Sequence, residues 1–138
     1  APIAGWIAVL GTVDWPPVVL GFGVLFWVAG FDTIYACQDV DFDRSASLHS
    51  VPAWLGTRRA LQLAALSHVI ALALFLLTGL LSDLGWGFYL LSLITCALLY
   101  WEHSLVKPED LSRLDLAFFN VNSMVSFSVL VAIWCGLP

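Results

Sequence analysis

Charge is what this sequence has least of. Only 11% of its 138 residues are Asp, Glu, Lys or Arg, and 61% are hydrophobic. A soluble domain is nearer a quarter charged and half apolar, so this balance excludes one. The charged start and cleavage pattern of a signal peptide are missing as well. No Cys-x-x-Cys occurs, and the cysteines are odd in number: Cys37, Cys96 and Cys135. They read as free thiols in or at the ends of apolar segments, not as a disulfide or a metal site. Linkers, low-complexity segments and repeats are absent too, which leaves one domain.

Charged and histidine side chains are lacking from four long stretches. Pro16 to Ala36 holds only Asp32, and Ala60 to Leu81 only His68. Gly85 to Trp101 and Leu116 to Pro138 hold none. A spanning helix needs about 17–25 apolar residues, and lipid leaves a backbone no other way to satisfy its amides than a helix or a closed barrel. The expected fold is all-α, a polytopic transmembrane helix bundle. Its helices are expected over about 16–38, 57–79, 85–104 and 111–136. Pro16-Pro17 suits the first turn of one helix, Gly79 the stop of the next, and Ser112 or the segment from Pro108 to Asp110 the start of the last. Ala1 to Val13 is apolar but too short to span, and is expected to be the tail of a fifth helix. Trp15, Trp54, Trp86, Tyr100 and Trp101 fall near the boundaries, as an interfacial aromatic belt does. Small residues such as Gly21, Gly23, Ala64 and Ala65 suit close helix packing.

Positive charge is missing from one side of the bundle. With helices alternating in direction, all five basic residues fall on one side: Arg44, Arg58, Arg59, Lys107 and Arg113. The other side carries only Asp14 and Asp83. Basic loops stay cytoplasmic, so the multi-pass chain is expected in the cell (inner) membrane with its 38–59 connection inside.

That connection opens with the informative segment, Asp32-Thr33-Ile34-Tyr35-Ala36-Cys37-Gln38-Asp39-Val40-Asp41-Phe42-Asp43-Arg44. On a helix persisting to residue 43, Asp32, Asp39 and Asp43 fall at about 0°, 340° and 20°, with Tyr35 beside them at about 300°. Asp41 falls near 180°, the position of a solvated bystander. Asp39 and Asp43 are neighbours one turn apart, while Asp32 lies about 10 Å deeper. Two carboxylates able to share one ion suit magnesium, which is held by one or two carboxylates plus substrate phosphates. An EF-hand fails on position, since Arg44 replaces its glycine and Ser50 its bidentate Glu. A cation-transport bundle is the alternative, but transport carboxylates belong near the midplane, and these lie at the membrane edge.

The pattern D-x-x-Y-A-x-x-D-x-x-x-D resembles the second aspartate-rich motif of the UbiA superfamily of intramembrane aromatic prenyltransferases. Leu48-His49-Ser50-Val51-Pro52 and Gly56 resemble its continuation. Trp101 to Val106, Asp110 to Arg113 and Phe118-Phe119-Asn120 resemble a 4-hydroxybenzoate polyprenyltransferase-like subgroup. The resemblance implies part of a nine-helix bundle around a central cavity, and transfer of a polyprenyl group from a polyprenyl diphosphate to an aromatic acceptor such as 4-hydroxybenzoate, in quinone biosynthesis. It implies Mg2+ held by Asp39 and Asp43, with Asp32 and Tyr35 lining the polar end of the cavity. Membrane lipid surrounds such an enzyme, and no nucleic acid is expected. The first motif, N-D-x-x-D-x-x-x-D, is absent, for no Asn-Asp pair occurs. The 138 residues are therefore expected to be the C-terminal portion of a single transmembrane domain: four full spans and part of a fifth. They are expected to be inactive without an N-terminal half that carries the other motif.

Arg44, Arg58 and Lys107 are candidates for diphosphate contacts, since cations stabilise a departing phosphate; their other role is to orient the bundle. His68 reads as a buried, hydrogen-bonded histidine, and Glu102 with His103 as a polar network at a helix end. Asn120 and Asn122 read as interhelical hydrogen bonders.

Overall fold

The computed structural model describes residues 1–137. Among them the chain is helical throughout, and the only extended pairing is a bridge between Lys107 and Asp110. Four helical stretches are long and apolar enough to cross a membrane: Trp15–Ser45, Thr57–Leu81, Trp86–Leu105 and Leu116–Gly136. The expected all-α bundle is thus what forms, with boundaries shifted for identifiable reasons.

Helix α1 (Pro2–Leu10) ends at Gly11, whose φ of 69° is the left-handed turn glycine takes without strain. Asp14 starts α2 (Trp15–Ala36) by accepting a hydrogen bond from the Trp15 amide at 2.7 Å, with the two prolines in the first turn. The helix does not run on to 43 as a regular α-helix. It tightens into a 3-10 turn over Cys37–Asp39 before α3 (Val40–Ser45) resumes. The buried side chains give the reason. Ile34, Cys37 and Val40 all face the core, and a spacing of three matches the 3.0-residue period of a 3-10 turn.

Ser50 caps the short α4 (Val51–Leu55), and Gly56, at φ 82°, turns the chain into α5 (Thr57–Leu81). Gly79 does not stop this helix. It is buried inside it, where the ring of Phe88 fills the space a Cβ would need. Helix α6 (Trp86–Leu105) leads into the Lys107–Asp110 bridge. The last span starts later than 111 and begins with a π-helical turn at Leu116–Val121, followed by α7 (Asn122–Gly136). Here Ala117, Val121 and Val125 are all fully buried. Their spacing of four exceeds the 3.6-residue period of an α-helix and favours an underwound turn.

The four spans associate as two pairs, α2 along α5 and α6 along α7. Glycines on α2 make the first pair close. A Cβ on Gly23 would stand 2.8 Å from the Phe75 ring, and one on Gly30 would overlap His68 and sit 3.2 Å from the Ala64 carbonyl. Without a hydrophobic drive between helices in lipid, such backbone approach is how helices associate. The outer faces are apolar: Leu66, Leu93 and Phe127 are all exposed. The boundary aromatics Trp15, Trp54, Trp86 and Tyr100 point outward as the belt requires.

Candidate functional site

The Arg58 guanidinium meets the Glu109 carboxylate at 2.7 Å, which places the 38–59 and 102–115 connections at one end of the bundle. The pair is exposed on both sides, so it contributes about 0–1 kcal/mol. The amide of Ser112 donates to Asp110 at 3.0 Å, and hydrogen bonds from Ser112 hold the Asp110 carboxyl below its ordinary range. The acidic motif lies at this same end.

Asp32, Asp39 and Asp41 are exposed, and Asp43 is half-buried. Among the described residues no hydrogen bond or ion pair occupies the carboxylates of Asp32, Asp39 or Asp43, and no three ligand-type side chains converge on a common point. The 3-10 turn explains part of this. Each of its residues advances about 20° more than in an α-helix, so three residues swing Asp43 about 60° away from the face of Asp32. The single stripe expected from an unbroken helix is therefore split. Asp39 ends the 3-10 turn and Asp43 lies one turn on in α3, while Asp32 stands apart, lower on α2. It lines the end of an apolar groove of ≈ 610 Å³ between α1 and α2, beside Val28, Leu25, Phe22 and Val18. The donor chemistry at Asp39 and Asp43, two carboxylates four residues apart with no partner among the described residues, suits a hard divalent cation that keeps phosphate or water as its other ligands.

Tyr35 is half-buried and packs against the π turn. Its ring lies 4.2 Å from that of Phe118, tilted by 31°, and 6.5 Å from Phe119. Phe31 meets the same Phe118 edge-on, and Trp27 meets Phe31. This aromatic ladder fixes the motif helix to the last span. Arg44 is partly committed, because its Nε donates to the Ala53 carbonyl at 3.1 Å and ties α3 to α4. Arg59 and Lys107 are exposed.

A second polar assembly lies inside the bundle. His68 Nδ1 is 2.9 Å from His103 Nε2 and 3.4 Å from Glu102 Oε2, and His68 Nε2 is 3.2 Å from the Trp27 carbonyl. The Trp27 indole donates to Asn122 Oδ1 at 3.2 Å. Asn122 stands beside Glu102, but its amide donates to the Phe118 carbonyl at 2.7 Å, and both Glu102 oxygens remain without a hydrogen bond. Sequence reasoning placed His68 in mid-span and Glu102 at a helix end, so it kept them apart. The missing signal was depth. Leu105, Val106 and Leu114 are buried, so α6 ends within the bundle and its last turn reaches His68.

The structure defines a multi-span helical bundle with an exposed acidic segment at one end of its spans, and sequence comparison places it in a family. The UbiA prenyltransferase family matches residues 1–124, and the chain belongs to that family. It is 34% identical over 95 residues to the polyprenyl transferase yanG of Aspergillus niger, covering 67% of this chain and 28% of that protein. Against the 4-hydroxybenzoate octaprenyltransferase of Citrobacter koseri it is 32% identical over 98 residues, covering 71% and 34%. The corresponding Salmonella paratyphi B enzyme gives 31%, 71% and 33%. The matched region thus spans about a third of the length of these relatives. No solved structure matches the chain.

Proposed function

We propose that this chain supplies one half of the diphosphate site of a magnesium-dependent intramembrane prenyltransferase. Its substrates would be a polyprenyl diphosphate and an aromatic acceptor such as 4-hydroxybenzoate. The observation that carries the reading is the free pair Asp39 and Asp43 at one end of an apolar bundle that belongs to the UbiA family. In the reaction the C1–O bond to diphosphate breaks, C1 bonds to a ring carbon, and the ring releases a proton. Asp39 and Asp43 would hold magnesium, which stabilises charge on the departing diphosphate. Arg44, Arg58 and Lys107, at the same end, would attract the diphosphate. Asp32 stands at the polar end of the apolar groove, whose walls suit a prenyl tail, while Tyr35, packed on Phe118 outside that groove, would position the motif helix. The 138 residues are read as the C-terminal portion of one transmembrane domain, with the motif on the cytoplasmic side and the opposing acidic motif on an N-terminal half.

The test is turnover of a polyprenyl diphosphate with 4-hydroxybenzoate by the full-length protein, across a magnesium titration. Asp39→Asn and Asp43→Asn are each expected to lower kcat by about 100-fold or more, since loss of the ion removes several kcal/mol at about 1.4 kcal/mol per tenfold. Asp41→Asn should stay within about threefold, because Asp41 follows Asp39 by only two residues and lies off their shared face. Equal loss in all three variants, or full activity in Asp39→Asn, would reject the metal pair.

A further inference from the structure

The cluster of Glu102, His68 and His103 sits in the seam between the two helix pairs, and nothing in the proposed transfer uses it. We propose that it is an intramembrane proton-binding site: three titratable groups that hold one shared proton and so clamp the α2–α5 pair to the α6–α7 pair.

The assignment begins at the Trp27 carbonyl. A carbonyl only accepts, so the hydrogen bond to it at 3.2 Å fixes a hydrogen on His68 Nε2. His68 Nδ1 then faces His103 Nε2 at 2.9 Å and Glu102 Oε2 at 3.4 Å. In a neutral His68 that nitrogen is a lone pair, and the bond from His103 must be donated to it. An ionised Glu102 would then sit beside a lone pair, 0% exposed, with both oxygens unbonded. A buried charge without a partner is neutralised instead. One added proton does this in two ways. It can lie on Glu102, beside His68 Nδ1, or on His68 Nδ1 and point at the carboxylate, in which case His103 takes its other tautomer and Nε2 becomes an acceptor. Each state has zero net charge.

No other group can take the proton's place. On α2 no charged side chain lies between Asp14 and Asp32, and α5 offers only His68 beyond Arg59. On α6 the remaining ionisable groups are Tyr89, Cys96 and Tyr100. From Leu116 onward the last span offers only Cys135, near its far end. Asn122, beside Glu102, is neutral and engaged with Phe118 and Trp27. Arg58 is paired with Glu109, Arg44 is bonded to Ala53, and Arg59, Lys107 and Arg113 are exposed at the bundle end.

The clamp has a direction in pH. Removing the shared proton leaves one negative charge in the seam, so stability should fall as pH rises through the alkaline range. Glu102→Gln keeps the shape and is neutral at every pH. Thermal unfolding of the full-length protein in detergent should therefore show a Tm that falls by about 4 °C more in the wild type than in Glu102→Gln between neutral and alkaline pH. Parallel curves would overturn the proposal. Should the variant fail to fold, nitrogen-15 imidazole spectra of the wild type decide. The exposed His49 serves as the reference. His68 and His103 are expected to keep a constant total protonation across the neutral range, with hydrogen on His68 Nε2. Titration of both alongside His49 would refute the site, as would a stoichiometric metal ion bound to the cluster, which would occupy the lone pairs the proton needs.

Discussion

Carboxylates occur in two regions of this bundle under opposite conditions. Asp39 and Asp43 stand at an exposed end with no partner among the described residues, while Glu102 is sealed among four helices with two histidines at hand. Solvation decides what each can do. A carboxylate in contact with water stays ionised at little cost, so the pair at the end can wait for a cation. A carboxylate out of water must be neutralised or paired before the helices close on it. The first arrangement suits ligand capture at the expense of local order, and the second suits cohesion.

The sharpest break of this contrast is a pair of substitutions read on two scales. Asp43→Asn should reduce turnover by orders of magnitude and leave Tm within about 1 °C, since no contact of that carboxylate holds the fold. His68→Ala should do the reverse in kind. It removes the ring that shares the proton with Glu102 and leaves a hole beside Gly30, at about 1–3 kcal/mol for the unpaired buried group. The measurement is thermal unfolding beside turnover for both variants. A strongly destabilised Asp43→Asn, or a fully stable His68→Ala, would erase the distinction between the regions.

Gly30→Val probes the same seam through packing alone. A Cβ at Gly30 overlaps the His68 ring and approaches the Ala64 carbonyl at 3.2 Å, so the ring must move or the α2–α5 pair must part. Overpacking of this kind destabilises by about 1–3 kcal/mol. Gly5, which has open space around it, is the control: Gly5→Val should shift Tm far less. Equal shifts would mean that backbone propensity, not the His68 contact, governs both.

How far the sequence discloses these features depends on their physics. The four spans are legible because lipid demands long uncharged runs. The stripe through Asp32 is less legible, since Cys37 and Val40 pull the chain into a 3-10 turn and rotate α3 relative to α2. Gly79 reads as a stop from its lack of a side chain, but it serves as the socket for Phe88 on the next helix, and only a tertiary contact reveals that. The late start of the last span has the same origin, because Lys107 and Asp110 exchange backbone bonds that no helical pattern announces. The Glu102 cluster is hidden because relative depth, unlike spacing along a helix, is set by the buried connection after Leu105.

The smallest effect isolates one link between the helix pairs. The Trp27 indole donates to Asn122 Oδ1 at 3.2 Å, and Asn122 in turn holds the Phe118 carbonyl beneath Tyr35. Trp27→Phe deletes that donor and keeps most else. The edge-on partner Phe31, 5.5 Å away, still meets an aromatic ring, and the residue 27 carbonyl that His68 holds belongs to the backbone. The loss should then be one interhelical hydrogen bond, about 0.6 kcal/mol in a membrane setting, or a fall in Tm of about 2 °C. A cycle with Asn122→Leu separates this bond from lost ring area, because the coupling between the two sites reports only what they share. A coupling near 0.6 kcal/mol with unchanged pH dependence would show that the seam has two independent links, the indole bond and the proton cluster. A coupling of about 3 kcal/mol would instead mean that Asn122 and the Glu102 cluster form one cooperative unit, with Trp27 as its connector.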